Sequence, residues 1–244
     1  MKLKEYFYML GFKPRERRYG YRVKQFDIAS FGIVEYAQWT HPSEKDKFIR
    51  EDVVSYLKSF LENGDFCIDI GAHTGDTTIP MALAVGKNGF VLALEPNPYV
   101  FPVLNKNAIL NKGLTDIFPL MIAATPKDGD IEFEYSDSGF CNGGLHENVS
   151  KWKHGHAFKL TVTGLNLSDL LRDKFSDKLP YLKYIKVDAE GYDLSILETI
   201  GDILEEYRPF IKAEIFKHTN KTYREKMYSF LSDRKYTIYL VEND

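Results

Sequence analysis

The 244-residue chain carries 32 basic against 35 acidic residues, a formal charge of −3, with 44% hydrophobic and 27% charged side chains. That mixture excludes a disordered polymer and lacks the basic excess of a nucleic-acid binder, while supplying the apolar mass of one large α/β domain. Two cysteines, Cys67 and Cys141, permit neither a disulfide framework nor a zinc spacing, and no apolar run reaches the ~18 residues of a membrane span, so a cytoplasmic setting is expected.

Residues 1–20 mix aromatic and basic side chains without the continuous apolar core of a signal peptide, and read as a short helix and a loose connection. Residues 21–40 alternate β-branched and aromatic residues and predict an accessory hairpin. We divide the chain into an accessory segment, 1–48, and a main domain, 49–244. Ile49, Val53, Tyr56, Leu57 and Phe60 recur at helical spacing and predict a helix buried along that stripe, stopping near Asn63-Gly64. From there strand and helix alternate, which predicts a doubly wound, mostly parallel sheet covered on both faces. Expected core strands lie at 66–70, 90–94, 116–123, 181–187 and 210–216. Their helices are expected at 77–85, 99–110, 167–175, 194–205 and 222–231. An irregular region, 125–158, holds a strand at 131–135 that pairs with 160–163, and 236–241 reads as a final strand.

In such sheets ligands bind beyond the carboxyl ends of the strands, where strand order reverses. The first core strand runs into Asp69-Ile-Gly-Ala-His-Thr-Gly75, whose glycines allow a sharp turn and close approach to a ligand. The helix that follows offers free N–H groups to an anion. Asp69 is a candidate partner for a ligand ammonium group, directly or through water. The second strand ends in Glu95, twenty residues beyond Gly75, where a carboxylate can accept both ribose hydroxyls of a nucleoside-type cofactor. A dinucleotide is disfavoured because His73 and Thr74 interrupt the required glycine pattern. After the fourth strand come Lys186, Asp188 and Glu190 at alternate positions, which point the same way if the strand persists. Ionisable groups gathered at a buried strand end are costly unless paired or functional.

These motifs resemble the FkbM family of methyltransferases. The resemblance rests on Asp69–Gly75, Leu94-Glu-Pro-Asn97, Ile122-Ala-Ala124 with Asp128-Gly129, and above all Ile185-Lys-Val-Asp-Ala-Glu-Gly191, and it spans about residues 50–216. It implies a class I methyltransferase fold, S-adenosylmethionine as donor, and a hydroxyl acceptor on a sugar, glycan or secondary metabolite. The implied cofactor contacts are Asp69, Gly71, Ala72, His73, Thr74, Gly75, Thr77, Glu95, Pro96, Asn97, Ala123 and Asp188. Two positions depart from the family pattern: Asn166 replaces an aspartate, and His73 replaces an asparagine with a titratable ring.

For catalysis, Asp188 is expected to position or deprotonate the acceptor, Lys186 to orient that carboxylate, and Glu190 to bind the acceptor or the cofactor amine, with Glu214 on the same rim. A Mg²⁺-assisted route through Asp188, Glu190 and Glu214 ranks lower because Lys186 stands among those ligands, and no metal site is assigned. His146, His154 and His156 lack a zinc geometry and read as surface residues. Phe140, Asn142, Gly143, Gly144 and Trp152 are expected to lid an acceptor pocket. A non-catalytic binding module is the alternative of a different class. Tyr6, Phe7, Tyr8 and Phe12 leave two readings, a homodimer or partner contact or a cover for the sheet edge, of which the second is preferred.

Overall fold

The computed structural model describes residues 12, 14–135, 137–141, 143–144, 158–215 and 219–241. Tyr6, Phe7, Tyr8, Asn142, His146, Trp152, His154 and His156 lie outside these, and with them the expected N-terminal helix and two of the five expected lid residues. Strands β1 (Tyr21–Ile28) and β2 (Gly32–Trp39) form the accessory hairpin, paired antiparallel in unbroken register. Helix α1 (Glu51–Leu57) leads into β3 (Phe66–Ile70), α2 (Thr78–Val85), β4 (Phe90–Leu94) and α3 (Phe101–Leu110). Then follow β5 (Ile117–Leu120), β6 (Ala123–Thr125), β7 (Gly129–Tyr135), β8 (Gly143–Gly144) and β9 (Phe158–Asn166). Helix α4 (Leu167–Lys174), β10 (Leu182–Val187), α5 (Asp193–Thr199), α6 (Gly201–Tyr207), β11 (Phe210–Ala213) and α7 (Lys221–Asp233) complete the order. No helix among the described residues is long and apolar enough to cross a membrane.

The core sheet runs β11-β10-β3-β4-β5, entirely parallel. Strand order reverses between β3 and β10, so the loops leaving these two strands part to opposite sides and open a crevice. Every residue of β3 is buried, as a strand covered on both faces requires. Alternate side chains feed two cores: Cys67, Val91 and Ala93 pack with α2, α3 and the hairpin, while Phe66, Ile68, Ile70, Leu92 and Leu94 pack with α4 to α7. A second sheet, β6-β9-β7-β8, has β7 antiparallel to both neighbours.

Four expected elements differ. The helix at 49–60 is shorter and rotated: Ile49, Val54, Leu57 and Leu61 are buried, while Val53 and Tyr56 face solvent. The single strand expected over 116–123 is two, because β5 is the outer strand of the core sheet and the chain leaves it after Leu120 to pair Ala123 with Gly164. The helix at 194–205 breaks at Ile200, where φ −106° and ψ 20° lie outside the helical region. No strand forms at 236–241; Tyr236 packs under Arg208 and donates to Leu204 O, and Tyr239 and Leu240 project outward, 80% and 83% exposed. Alternation satisfies β propensity there, but a strand needs a partner.

The hairpin is locked to the core by polar groups the sequence does not advertise. Asn107, fully buried on α3, accepts from Ala37 N (2.6 Å) and donates to Ala37 O (3.0 Å) and Thr74 O (2.6 Å). Tyr36 shares a 2.6 Å hydroxyl bond with Thr74. One side chain thus ties an outer strand to the turn after β3. Asn107→Ala leaves three buried backbone groups unpaired, each costing about 1–3 kcal/mol. The expected loss is about 3–9 kcal/mol, to be read from urea unfolding.

Candidate active site

The crevice at the β3/β10 switch holds a cavity of about 410 Å³, lined from the loops after β3, β4, β5 and β10; Glu214, after β11, is not among its lining residues. Its floor is the turn after β3. Gly71 has φ +77°, and a Cβ placed there meets Asp188 O at 2.0 Å, so glycine is the residue that lets the two strand ends touch. Gly71 N and Ala72 N both donate to Leu94 O, at 3.0 and 2.9 Å, fixing the turn to β4. His73 adopts φ +48°, a left-handed conformation that Asn and His tolerate better than most residues. This accounts for either residue standing at that position.

Glu95 organises the second wall. Its Oε2 accepts from His73 N (2.9 Å) and its Oε1 from Asn97 N (2.8 Å). Burial pushes its carboxyl up to about 7, against these two donors. Each oxygen keeps a lone pair for a further donor in the cavity. Asn97 in turn accepts from Tyr99 N and donates to Phe140 O.

The third wall departs from expectation in shape. Strand β10 ends at Val187, so Lys186, Asp188 and Glu190 do not share a continued strand. Instead the chain turns through Glu190 at φ +49° and Gly191 at φ +101°. Asp193, fully buried, holds that turn by accepting from Ala189 N (3.1 Å) and Gly191 N (3.0 Å). Asp193 carries no expected role, and its signal, an acid two residues past a glycine at a helix start, is legible only in hindsight. Lys186, Asp188 and Glu190 nonetheless all line the cavity.

Lys186 Nζ sits between two carboxylates, 3.4 Å from Asp69 Oδ1 and 3.3 Å from Asp188 Oδ2. Burial alone would lower its pKa, but Asp69 and Asp188 reverse that and raise it. Asp188 feels the converse: burial pulls its carboxyl up, and Lys186 with a hydrogen bond from Glu214 brings it below its ordinary value. Burial and the bond to Asp188 push Glu214 up to about 7, so of that pair Glu214 is the member that holds a proton below that pH and donates it.

The cofactor candidates divide into two groups. Gly71, His73, Thr77, Glu95, Pro96, Asn97, Ala123 and Asp188 line the cavity. Asp69, Ala72, Thr74 and Gly75 stand behind it. Asp69 has no exposed surface and accepts from Thr77 Oγ1 (2.8 Å) and Thr78 Oγ1 (2.7 Å), so it braces the turn and Lys186 and has no surface open to a direct ligand contact. Thr74 bonds Tyr36, and Gly75 gives Leu104 room. Phe140 is no lid tip: it is buried and stacked on Tyr99 at 4.2 Å. Asn166 caps α4 by accepting from Asp169 N, and its amide also donates to Pro126 O, a bond an aspartate cannot make. Among the described residues, Asp188, Glu190 and Glu214 do not gather as metal ligands.

The roof was missed altogether. The segment after β2 brings Glu44 and Lys47 over the mouth, Lys47 Nζ reaching Asp76 Oδ2 at 2.8 Å. Buried Gln38 holds this segment, accepting from Lys47 N and donating to Lys45 O. Glu44 and Lys47 lie in a run of charged residues that reads as solvated surface, and only the fold turns it inward.

Comparison with known proteins places these loops in a family context. The family model described as the methyltransferase FkbM domain matches residues 69–238. The hexuronic acid methyltransferase AglP of Haloferax volcanii is 28% identical over 165 residues, covering 68% of this chain and 62% of that protein. Methyltransferase sdnD of Sordaria araneosa is 27% identical over 163 residues, covering 58% of this chain and 62% of that protein. The chain therefore spans 62% of the length of each of these relatives. Among solved structures, the FkbM methyltransferase of Methylobacillus flagellatus aligns with a TM-score of 0.46 at 15% identity, covering 70% of this chain and 38% of that one. Precorrin-6y C5,15-methyltransferase of Geobacter metallireducens aligns with a TM-score of 0.43 at 16% identity, covering 81% and 78%.

Proposed function

The chain belongs to the FkbM family of S-adenosylmethionine-dependent methyltransferases, and from that premise we propose that it methylates a hydroxyl of a sugar or other small-molecule acceptor. The observation that carries this reading is the convergence of Gly71, Glu95 and Asp188 on one cavity at the strand-order switch. The hexuronic acid activity named for the Haloferax relative favours a sugar.

The residues present fit the cofactor. The turn at Gly71 and His73 with Thr77 would hold its methionine end, Glu95 its ribose hydroxyls, and Ala123 with its neighbour Ile122 its base. A cavity of about 410 Å³ is of small-molecule size. When bound, S-adenosylmethionine supplies a methyl group already activated by its sulfonium. The chain's own task is to orient an acceptor hydroxyl and move its proton. Asp188, held ionised by Lys186, accepts that hydroxyl's hydrogen bond and takes its proton as the oxygen becomes nucleophilic. Lys186 positions the carboxylate, Glu214 donates to it, and Glu190 lines the acceptor side of the cavity.

Calorimetric titration with S-adenosylmethionine and with NAD tests the reading: uptake of the first alone is expected, and binding of neither overturns it. Glu95 adds a pH signature. Its carboxyl sits near 7 in the free protein, and a carboxylate accepts hydroxyl donors better when ionised. Cofactor affinity is therefore expected to rise as pH increases through about 7, with a proton released on binding below that point. Hydrogen bonds to charged groups contribute about 1.5–3 kcal/mol, so Glu95→Gln is expected to weaken binding about 10–100-fold and to flatten its pH dependence.

A further inference from the structure

Three donor side chains meet beside the cofactor turn; Glu44 and Cys141 have no part in the mechanism above, and the His73 ring adds to the place of its residue in that turn. Glu44 comes from the roof segment, His73 from the turn after β3, and Cys141 from the loop joining β7 to β8. One ligand atom from each lies within 4.8 Å of the other two. His73 Nδ1 is 3.9 Å from Glu44 Oε1, and Cys141 Sγ is 4.0 Å from Glu44 Oε2. The Glu44 side chain is 94% removed from solvent, being 6% exposed, yet its Oε1 has no hydrogen-bond partner among the described residues. Leaving a buried carboxylate oxygen unpaired is costly, and this one is aimed into the group.

We propose that Glu44, His73 and Cys141 form a binding site for a thiophilic divalent cation of the Zn²⁺ class. The donor set, one imidazole nitrogen, one thiolate and one carboxylate oxygen, suits Zn²⁺ and not Mg²⁺, which takes oxygen ligands. Tetrahedral coordination with bonds of about 2.0–2.3 Å sets ligand atoms about 3.3–3.8 Å apart. One donor atom from each residue already lies within 4.8 Å of the other two, so side-chain rotations that draw them about an ångström closer complete that geometry. The frame is already fixed. Backbone N–H groups of Gly139 and Cys141 donate to Asp137, which His41 also engages at 3.0 Å, and Ser43 N donates to His41 Nδ1 at 3.0 Å. This chain of bonds joins the Glu44 segment to the Cys141 loop independently of any ion.

Charge is compatible. Lys47 is the nearest cation to Glu44, 4.0 Å from Oε1, but its ammonium is engaged by Asp76 at 2.8 Å. Binding converts the Cys141 thiol to a thiolate and releases its proton to solvent. The divalent charge is then balanced by one thiolate and one carboxylate. Three protein ligands leave a fourth position open toward the cavity that all three residues line.

Titration of the full chain, reduced and metal-free, with Co²⁺ and then Zn²⁺ tests the site. One equivalent of Co²⁺ is expected to give a thiolate-to-metal charge-transfer band that Zn²⁺ abolishes. Cys141→Ser is expected to remove the band, and Glu44→Gln and His73→Asn each to weaken Zn²⁺ binding at least tenfold. His73→Asn keeps a residue tolerant of the left-handed turn and so guards against loss of fold as the cause. Alkylation of Cys141 is expected to slow in Zn²⁺. The triple variant His146→Gln, His154→Gln, His156→Gln is expected to keep the band. Absence of a thiolate band, or equal Zn²⁺ affinity in wild type and the three single variants, overturns the proposal.

Discussion

Asp188→Asn is expected to lower kcat by about 10²–10⁴-fold, the range of a general base, while S-adenosylmethionine binding stays within about threefold. The amide keeps the size of the carboxylate and removes its ability to take a proton. Its surroundings make the substitution clean. Asp188 N still donates to Ile70 O at 3.0 Å and Gly71 still touches Asp188 O, so the backbone that shapes the cofactor turn is unaltered. Lys186 loses one of two carboxylates but keeps Asp69 at 3.4 Å, so no buried cation is stranded. A structural role for Asp188 predicts the opposite pattern, a fall in thermal midpoint with turnover preserved in the surviving folded fraction. Single-turnover rates beside calorimetry separate the two, and turnover within twofold of wild type rejects the assignment. Glu214→Gln serves as the companion: an amide still donates to Asp188, so a loss of about tenfold or less is expected, with the acidic limb of the pH profile displaced.

Periodicity and strand-end chemistry carried the sequence reading far in the core and failed at its margins, for physical reasons. Buried parallel strands advertise themselves as short apolar runs, and Phe66–Ile70 and Phe90–Leu94 stand where those runs place them. Gly71, Glu95 and Asp188 follow from the strand ends alone. What stayed illegible depends on contacts distant in sequence. Whether Asp69 Oδ2 faces the cavity or Thr77 and Thr78 is decided by the path of α2, which no local pattern marks. The inward turn of Glu44 and Lys47 depends on Gln38 and His41, residues whose burial no local pattern marks. The strand expected at 236–241 fails by the same rule in reverse, since propensity is local and pairing is not.

Gly71→Ala is expected to abolish measurable S-adenosylmethionine binding and to lower stability by several kcal/mol, and a matched control isolates the cause. Two penalties attach to the substitution. One is conformational, because φ +77° is unfavourable for any residue with a Cβ, costing about 1–3 kcal/mol. The other is steric: the new methyl falls 2.0 Å from Asp188 O and 3.0 Å from Asp188 C, both backbone atoms. Neither partner has freedom to retreat, since Gly71 N is bonded to Leu94 O and Asp188 N to Ile70 O, each at 3.0 Å. Relief therefore requires prying apart the ends of β3 and β10, the two strands whose divergence makes the cavity. Gly32, the first residue of β2 after the hairpin turn, has φ +74° with nothing within 4 Å of its would-be Cβ. Gly32→Ala carries the conformational penalty alone and is expected to cost about 1–2 kcal/mol with cofactor affinity unchanged. Urea midpoints and calorimetry on the pair give the comparison. If Gly71→Ala binds cofactor as tightly as Gly32→Ala, the contact between the two strand ends does not shape the cofactor site, and the functional reading loses its geometric foundation.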